Sequence, residues 1–416
     1  MREVDLSDRA LRADPYPTYA RLRTHAPVTV GKAPLFGKVW LVTRYDDVLH
    51  ALKHPALSRD LNKRRHSTRG LARWAPGLLA TLQETMVTTD DPDHRRLRDL
   101  VHVAFSPRRV EQMTRRIEEI TGGLLDRAAR KGRIDLIADV ALPLPLTIIS
   151  EMLGVPDDER LTFHAWSAGF LEIGAGGSPL KMITQIPNGI RLKRFFERLI
   201  ARRRTDPQDD LISALVRAET NGDCLSEREV LSMIFLLLLA GHETTVNLIG
   251  NGMLALLEHP DQMQKLRERP SLIDAAVEEL LRYCNPVEHG NVRLALEDLE
   301  MGGQRIPRGS VVLLLLASAN RDEAVFDQPD RLDIERSPNR HLGFGFGAHY
   351  CLGAQLARIE GRIAIEQLVR RFPGMKLAVP RERLRWRDTV AVRGLERLPI
   401  DLLSRADSRT EPRSSS

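Results

Sequence analysis

His341-Leu342-Gly343-Phe344-Gly345-Phe346-Gly347-Ala348-His349-Tyr350-Cys351-Leu352-Gly353 places four glycines around a single cysteine, directly ahead of an amphipathic pattern. A backbone this bare can approach a flat ligand closely. The pattern that follows carries Leu352, Leu356, Ile359 and Ile363 on one helical face, so a helix N-terminus, with its free N–H groups and positive end, points at Cys351. Such donors are expected to lower the thiol pKa and favour a thiolate. A soft anionic sulfur is a strong axial donor to haem iron and promotes O–O cleavage. An isolated cysteine is more often a small buried hydrophobe, so the spacing of Phe344, Gly347, His349, Cys351 and Gly353 carries the inference. Cys224 and Cys284 lack such surroundings and read as plain thiols.

Working outward, 416 residues with 42% hydrophobic content suffice for one large core. Three scattered cysteines exclude a disulfide framework and fit no paired zinc pattern. The start, Met1 to Ala10, is charged and lacks a secretory apolar segment, so a cytoplasmic location is expected. The longest apolar run, Met233 to Ala240, ends at Gly241-His242-Glu243, short of the ~20 residues of a membrane span. A net charge of +6 with only 5% aromatics and no nucleic-acid motif points to a basic docking face.

Helical periodicity runs through Val110 to Ala129, Arg191 to Arg203, Glu227 to Leu257 and Ser271 to Arg282. Short strand patterns fall at Val28 to Val30, Val39 to Val42, Val292 to Leu296 and Val311 to Leu316. The expectation is a mainly α protein with small peripheral β-sheets, one domain over 1–403 and a polar disordered tail over 404–416. The segment Pro55 to Thr89 gathers Arg59, Lys63, Arg64, Arg65, Arg69 and Arg73 and reads as a long, mostly solvated loop.

Leu239-Ala240-Gly241-His242-Glu243-Thr244-Thr245 puts a carboxylate and two hydroxyls inside an apolar helix. Buried polar groups need partners or a task. A threonine hydroxyl bonding back one turn loosens the helical ladder and opens a groove beside Gly241. Thr244 then offers a hydrogen bond on the oxygen side while Glu243 relays protons; the plain alternative is a kinked helix with satisfied threonines.

Together the cysteine loop and this helix resemble the cytochrome P-450 superfamily, closest to the bacterial branch of macrolide, polyketide and sterol hydroxylases. The likeness runs from Asp14-Pro15-Tyr16 to Leu398-Pro399, with Glu243 where many members have Asp. It implies a triangular-prism fold with haem b between a distal and a proximal helix. It also implies Cys351 as iron ligand and Glu243 and Thr244 as the acid-alcohol pair. His94, Arg98, Arg293 and His349 become propionate ligands, and Ala240, Gly241, Phe344, Gly345 and Gly353 become cofactor contacts. Arg95 and Arg96 are expected to face solvent. Glu279 and Arg282, three apart on a helix, are expected to form a buried triad with Arg331 of Pro329-Asp330-Arg331-Leu332.

The implied reaction is insertion of one oxygen atom from O2 into a C–H bond, hydroxylation or epoxidation, of an apolar medium-to-large molecule such as a macrolide, polyketide, terpenoid or steroid. Oxidative coupling, dehydration or rearrangement on the same haem is the alternative, and a non-enzymatic haem sensor a third reading. Pocket candidates are Leu82, Met86, Val87, Leu171, Phe235, Leu236, Leu239, Val287, His289, Asn291 and Val390, with His289 the polar one of interest. No flavin or iron-sulfur motif follows Cys351, so a ferredoxin and its reductase are expected to supply electrons. Arg108, Arg109, Arg358, Arg362, Arg370 and Arg371 offer a complementary surface. A monomer binding neither nucleic acid nor membrane is expected.

Overall fold

Ser226 and Glu229 start the longest helix with a reciprocal cap: the Glu229 N–H donates to Ser226 Oγ, and the Ser226 N–H donates to Glu229 Oε2 at 2.8 Å. The helix, Glu227–Glu258, is apolar all round, and Met233, Ile234, Phe235 and Leu238 are fully enclosed. It has the length and composition of a membrane span, but 67% of its most apolar stretch is buried within the protein, which marks a core helix. The computed structural model describes residues 4–402 apart from 35, 64–84, 106, 175–178, 221, 290, 388 and 390.

Helix Ala354–Arg371, which follows the cysteine, packs against Glu227–Glu258, Ile273–Tyr283 and Thr114–Lys131. The expected helix Val110 to Ala129 is divided into Pro107–Gln112 and Thr114–Lys131. At the break the Met113 N–H donates to the Val110 carbonyl in a tighter turn. Helices Arg160–Gly174 and Pro179–Thr205 form a packed pair, and Phe196 meets Phe235 of the long helix at 5.6 Å between ring centres.

The strand patterns assemble into a six-stranded sheet in the order Val4–Asp5, Val28–Ala33, Gly37–Val42, Val311–Leu314, Asn291–Ala295, Leu57–Ser58. Leu57 pairs with Ala295 and Ser58 with Leu294, which brings Arg59 beside Arg293 although 234 positions separate them in the chain.

Behind the cysteine loop, Glu279 and Arg282 form the expected buried pair, with two nitrogens on two oxygens at 2.8 Å each. The third member is Arg336 and not Arg331: Arg336 Nε lies 3.2 Å from both Glu279 oxygens. Leu332 takes the inward position at 1% exposure, which turns the neighbouring Arg331 side chain out to solvent. Arg331 contributes only its carbonyl, which accepts from Arg282 and Arg336 at 3.2 Å each. The Asp333 N–H and Asn339 Nδ2 complete the shell around Glu279 at 3.0 and 3.2 Å.

Candidate active site

The loop before Cys351 folds as two successive turns, with Gly345 and Gly347 at φ of 73° and 74°, a region that side chains with a Cβ avoid. The Gly345 N–H donates to the Leu342 carbonyl at 2.9 Å, and the Cys351 N–H to the Phe344 carbonyl at 3.0 Å. Cys351 is thereby delivered at the start of Ala354–Arg371, its sulfur accepting from the Gly353 N–H and its surface open to an internal cavity. Burial pushes its thiol up from the ordinary value, against the Gly353 N–H and the charges of Arg98 and Arg358. The helix-end donor therefore acts in the expected direction but is outweighed by desolvation in the free thiol, and a coordinated cation would favour the thiolate.

The cavity has a volume of about 240 Å3 and is partly open to solvent. Gly343, Phe344, Gly345, His349, Cys351 and Gly353 line one side, and Ala240, Gly241, Thr244 and Thr245 of the long helix line another. Met86, Val87, Leu236 and Val287 form part of the apolar wall. Phe235, Leu239 and His289 do not line it. Phe235 is enclosed against Phe196, and Leu239 packs on the core. His289 is buried on Tyr19, its Nε2 at 3.0 Å from a hydroxyl that also donates to Glu288 at 2.6 Å. The expectations for Leu82 and Val390, and for the side chains of Leu171 and Asn291, lie outside the described residues.

At the cavity edge stand Arg59, His94, Arg98, Arg293 and His349, of which all but Arg293 touch the cavity itself. His94 and His349 lie 4.0 Å apart between ring centres, and Arg98 Nη2 donates to the Tyr350 carbonyl at 2.8 Å. Asp91 Oδ1 lies 3.3 Å from His94 Nδ1, and Asp90, which burial acts to raise, is held at about 2 by hydrogen bonds from Lys63, Ser58 and the Arg59 N–H. Burial and the neighbouring Arg293 lower Arg59 to about 9, burial lowers Arg293 to about 10, and burial with Arg59, His94 and Arg293 lowers His349 to about 3. His94 Nε2 and Arg293 Nε and Nη2 are buried without a hydrogen-bond partner. Each such group costs about 1–3 kcal/mol. A ligand bringing two carboxylates to this rim supplies the missing acceptors and charge, so the residues present fit a haem.

Thr244 Oγ donates to the Ala240 carbonyl at 2.8 Å and Thr245 Oγ to the Gly241 carbonyl at 3.3 Å, back-bonds of the kind that compete with the helical ladder, although Glu227–Glu258 stays a continuous α-helix here. Glu243 does not line the cavity. It is buried on the next helical face with Oε1 lacking a hydrogen-bond partner and Arg387 Nη1 3.7 Å away. Burial raises its pKa and Arg387 opposes, so the acid keeps its proton to higher pH than a solvated carboxyl.

Arg59 was read from sequence as part of a solvated basic run; a two-residue strand pairing, too short to leave a pattern, makes it a cavity residue. Arg96, also expected in solvent, pairs with Glu229 and, at 3.3 Å, with Asp223, tying helix Asp93–Ala104 to the start of the long helix. Within the expected docking set, Arg109 pairs with Asp209, Arg358 with Glu278, Arg362 with Asp274 and Arg371 with Asp126.

The family model described as Cytochrome P450 matches residues 180–379. Cytochrome P450 107B1 of Saccharopolyspora erythraea is 44% identical over 94% of this chain and 96% of its own length. Cytochrome P450 monooxygenase PikC of Streptomyces venezuelae is 44% identical over 93% of this chain and 91% of its own. The solved structure of the Bacillus subtilis bacillaene polyketide synthase cytochrome P450 PksS superimposes with a TM-score of 0.88 at 40% identity, covering 95% of this chain and 99% of that one. The architecture and the cysteine-lined cavity define a haem-thiolate oxidoreductase, and this chain belongs to the cytochrome P450 family. It is a monooxygenase whose cofactor is protoporphyrin IX haem.

Proposed function

We propose that this monooxygenase hydroxylates a C–H bond of an apolar, medium-to-large natural product of polyketide type, with Cys351 as the residue that would hold the haem iron. The observation that carries this reading is that Cys351 and Thr244 line one cavity whose remaining walls include Met86, Val87, Leu236 and Val287. An apolar wall of that kind selects by shape and desolvation. The polyketide class rests on likeness to PksS, named for a polyketide synthase. When bound, haem supplies oxygen activation at its iron.

In this reading His94, Arg98, Arg293 and His349, joined by Arg59, hold the two propionates. Ala240, Gly241, Phe344, Gly345 and Gly353, which line the cavity, would contact the haem. Thr244 holds a proton at the oxygen side of the cavity, and Glu243, on the adjacent helical face beside the half-exposed Arg387, passes protons inward from the surface. Electrons come from a ferredoxin and its reductase. The ion pairs of Arg109, Arg358, Arg362 and Arg371 leave Arg108 and Arg370 of the expected set without a carboxylate partner among the described residues, so the docking charge is smaller than the sequence suggests.

The test is the spectrum of the dithionite-reduced protein under carbon monoxide. A red-shifted thiolate-type Soret band is expected, and its absence refutes Cys351 as ligand. A library of polyketides screened for the low-to-high spin shift, followed by product mass, then checks the reaction. Gain of one oxygen atom supports hydroxylation, whereas a coupled or dehydrated product refutes it.

A further inference from the structure

Glu278 is the sequence neighbour of Glu279 but anchors a separate network. It accepts from Arg358 Nε at 2.6 Å and Nη2 at 2.9 Å, and from His341 Nε2 at 3.0 Å. His341 Nδ1 in turn accepts from the Gly343 N–H at 3.0 Å. Arg358 Nη1 donates to the Tyr350 hydroxyl at 3.3 Å, and the guanidinium lies 4.5 Å from the centre of the Phe344 ring. One carboxylate therefore reaches the cysteine loop at residues 341–344 on one side and at Tyr350 on the other. Phe344 is also the residue whose carbonyl receives the Cys351 N–H.

The charges are as ordered as the contacts. Arg358 and His341 hold Glu278 at about 2 although burial acts to raise it, and the Arg358 charge is one of those that act on the Cys351 sulfur. A bidentate, ring-stacked guanidinium is fixed in orientation in a way that a surface docking arginine is not.

We infer that Arg358, clamped by Glu278, is a positioning residue that sets how strongly the Cys351 sulfur donates to the haem iron, through the orientation of the loop and the net charge of the pair. The inference rests on Cys351 being the iron ligand. A positive charge behind the sulfur withdraws electron density and favours the more electron-rich ferrous state, and the Glu278 carboxylate offsets that charge. Removing either partner's charge therefore moves the ferrous-to-ferric balance in opposite directions. A pair that merely braced the loop shifts it the same way when either side is lost.

The experiment is a potentiometric titration of the haem-loaded enzyme with chemical mediators and no partner protein, on wild type, E278Q, R358Q, R358K and the E278Q/R358Q double variant. At a fixed potential, E278Q is expected to raise the ferrous-to-ferric ratio and R358Q to lower it, each by about three- to tenfold, tenfold being about 59 mV for one electron. The double variant should return to within about twofold of wild type. R358K is expected to keep the wild-type ratio but to lose its thiolate-type band under carbon monoxide faster, because lysine makes neither the bidentate pair nor the ring stack. Shifts of one sign in E278Q and R358Q, or no shift, overturn the inference while leaving the ligand assignment standing. A wild-type spectrum without the thiolate band overturns both. If the single variants do not retain haem, R358K decides: unaltered thiolate loss overturns the inference, and faster loss at an unchanged ratio supports it.

Discussion

Replacing Arg336 with glutamine separates the observed charge cluster from the one the sequence pattern suggests. Glu279 is fully buried and keeps Arg282 in this variant, but it loses a guanidinium lying 3.2 Å from both of its oxygens. The same guanidinium donates to the carbonyls of Asp327, Gln328 and Arg331 at 2.7, 3.3 and 3.2 Å, so the strap leading to the cysteine loop is released as well. Breaking a buried ion pair costs about 3–5 kcal/mol. Because Arg282 still neutralises the carboxylate, the lower end, about 3 kcal/mol, is expected. At roughly 1–2 °C per kcal/mol for a chain larger than a typical domain, the melting temperature of the haem-loaded enzyme should fall by about 3–6 °C. Arg331 is exposed and, among the described residues, its guanidinium meets only Gln328, at 3.5 Å, so R331Q should stay within about 0.5 kcal/mol of wild type. Thermal unfolding of the two variants side by side is the assay. Equal losses, or a larger loss in R331Q, would refute the assignment of Arg336.

Thr244→Ala should lower product formed per electron consumed by about tenfold or more, with the difference appearing as hydrogen peroxide, if the hydroxyl manages the proton at the oxygen side. Product and peroxide measured together check it, and wild-type coupling removes Thr244 from the relay. Arg59→Leu should speed haem transfer to apomyoglobin by about ten- to a hundredfold, the worth of one charge-assisted hydrogen bond, whereas Arg95→Leu, whose side chain is 76% exposed, should change nothing. Burial, with Arg387 and His164 nearby, lowers His242 to about 3. The fold thus favours its neutral form, while the unfolded chain takes up a proton below about 6.5, so stability is lost as pH falls from about 6.5 toward 3. At pH 4.5 the loss is about 3 kcal/mol from this residue, and His242→Phe should flatten the melting temperature between pH 6.5 and 4.5. An unchanged slope contradicts a neutral buried imidazole.

What the sequence determined by itself was local. Gly345, Gly347, Cys351 and Gly353 lie within a few residues of one another, as do Glu243 and Thr244, so their chemistry shows in spacing alone. The same holds for Glu279 and Arg282, which share a helical face. Helix dominance and the four main strands were legible because burial imposes periods that a chain must obey along its own length. Tertiary structure decided whatever depends on which distant segments meet. Arg59 becomes a cavity residue only because Ser58 pairs with Leu294, and His289 leaves the pocket because Tyr19, from the other end of the chain, takes its imidazole. Arg336 displaces Arg331 because one buried leucine sets the direction of the strap, and Glu278 holds the cysteine loop through His341 and Arg358. The Cys351 thiol shows the division most directly: the helix end that lowers its pKa is written in the sequence, but the desolvation that outweighs it exists only once the chain has folded around the cavity.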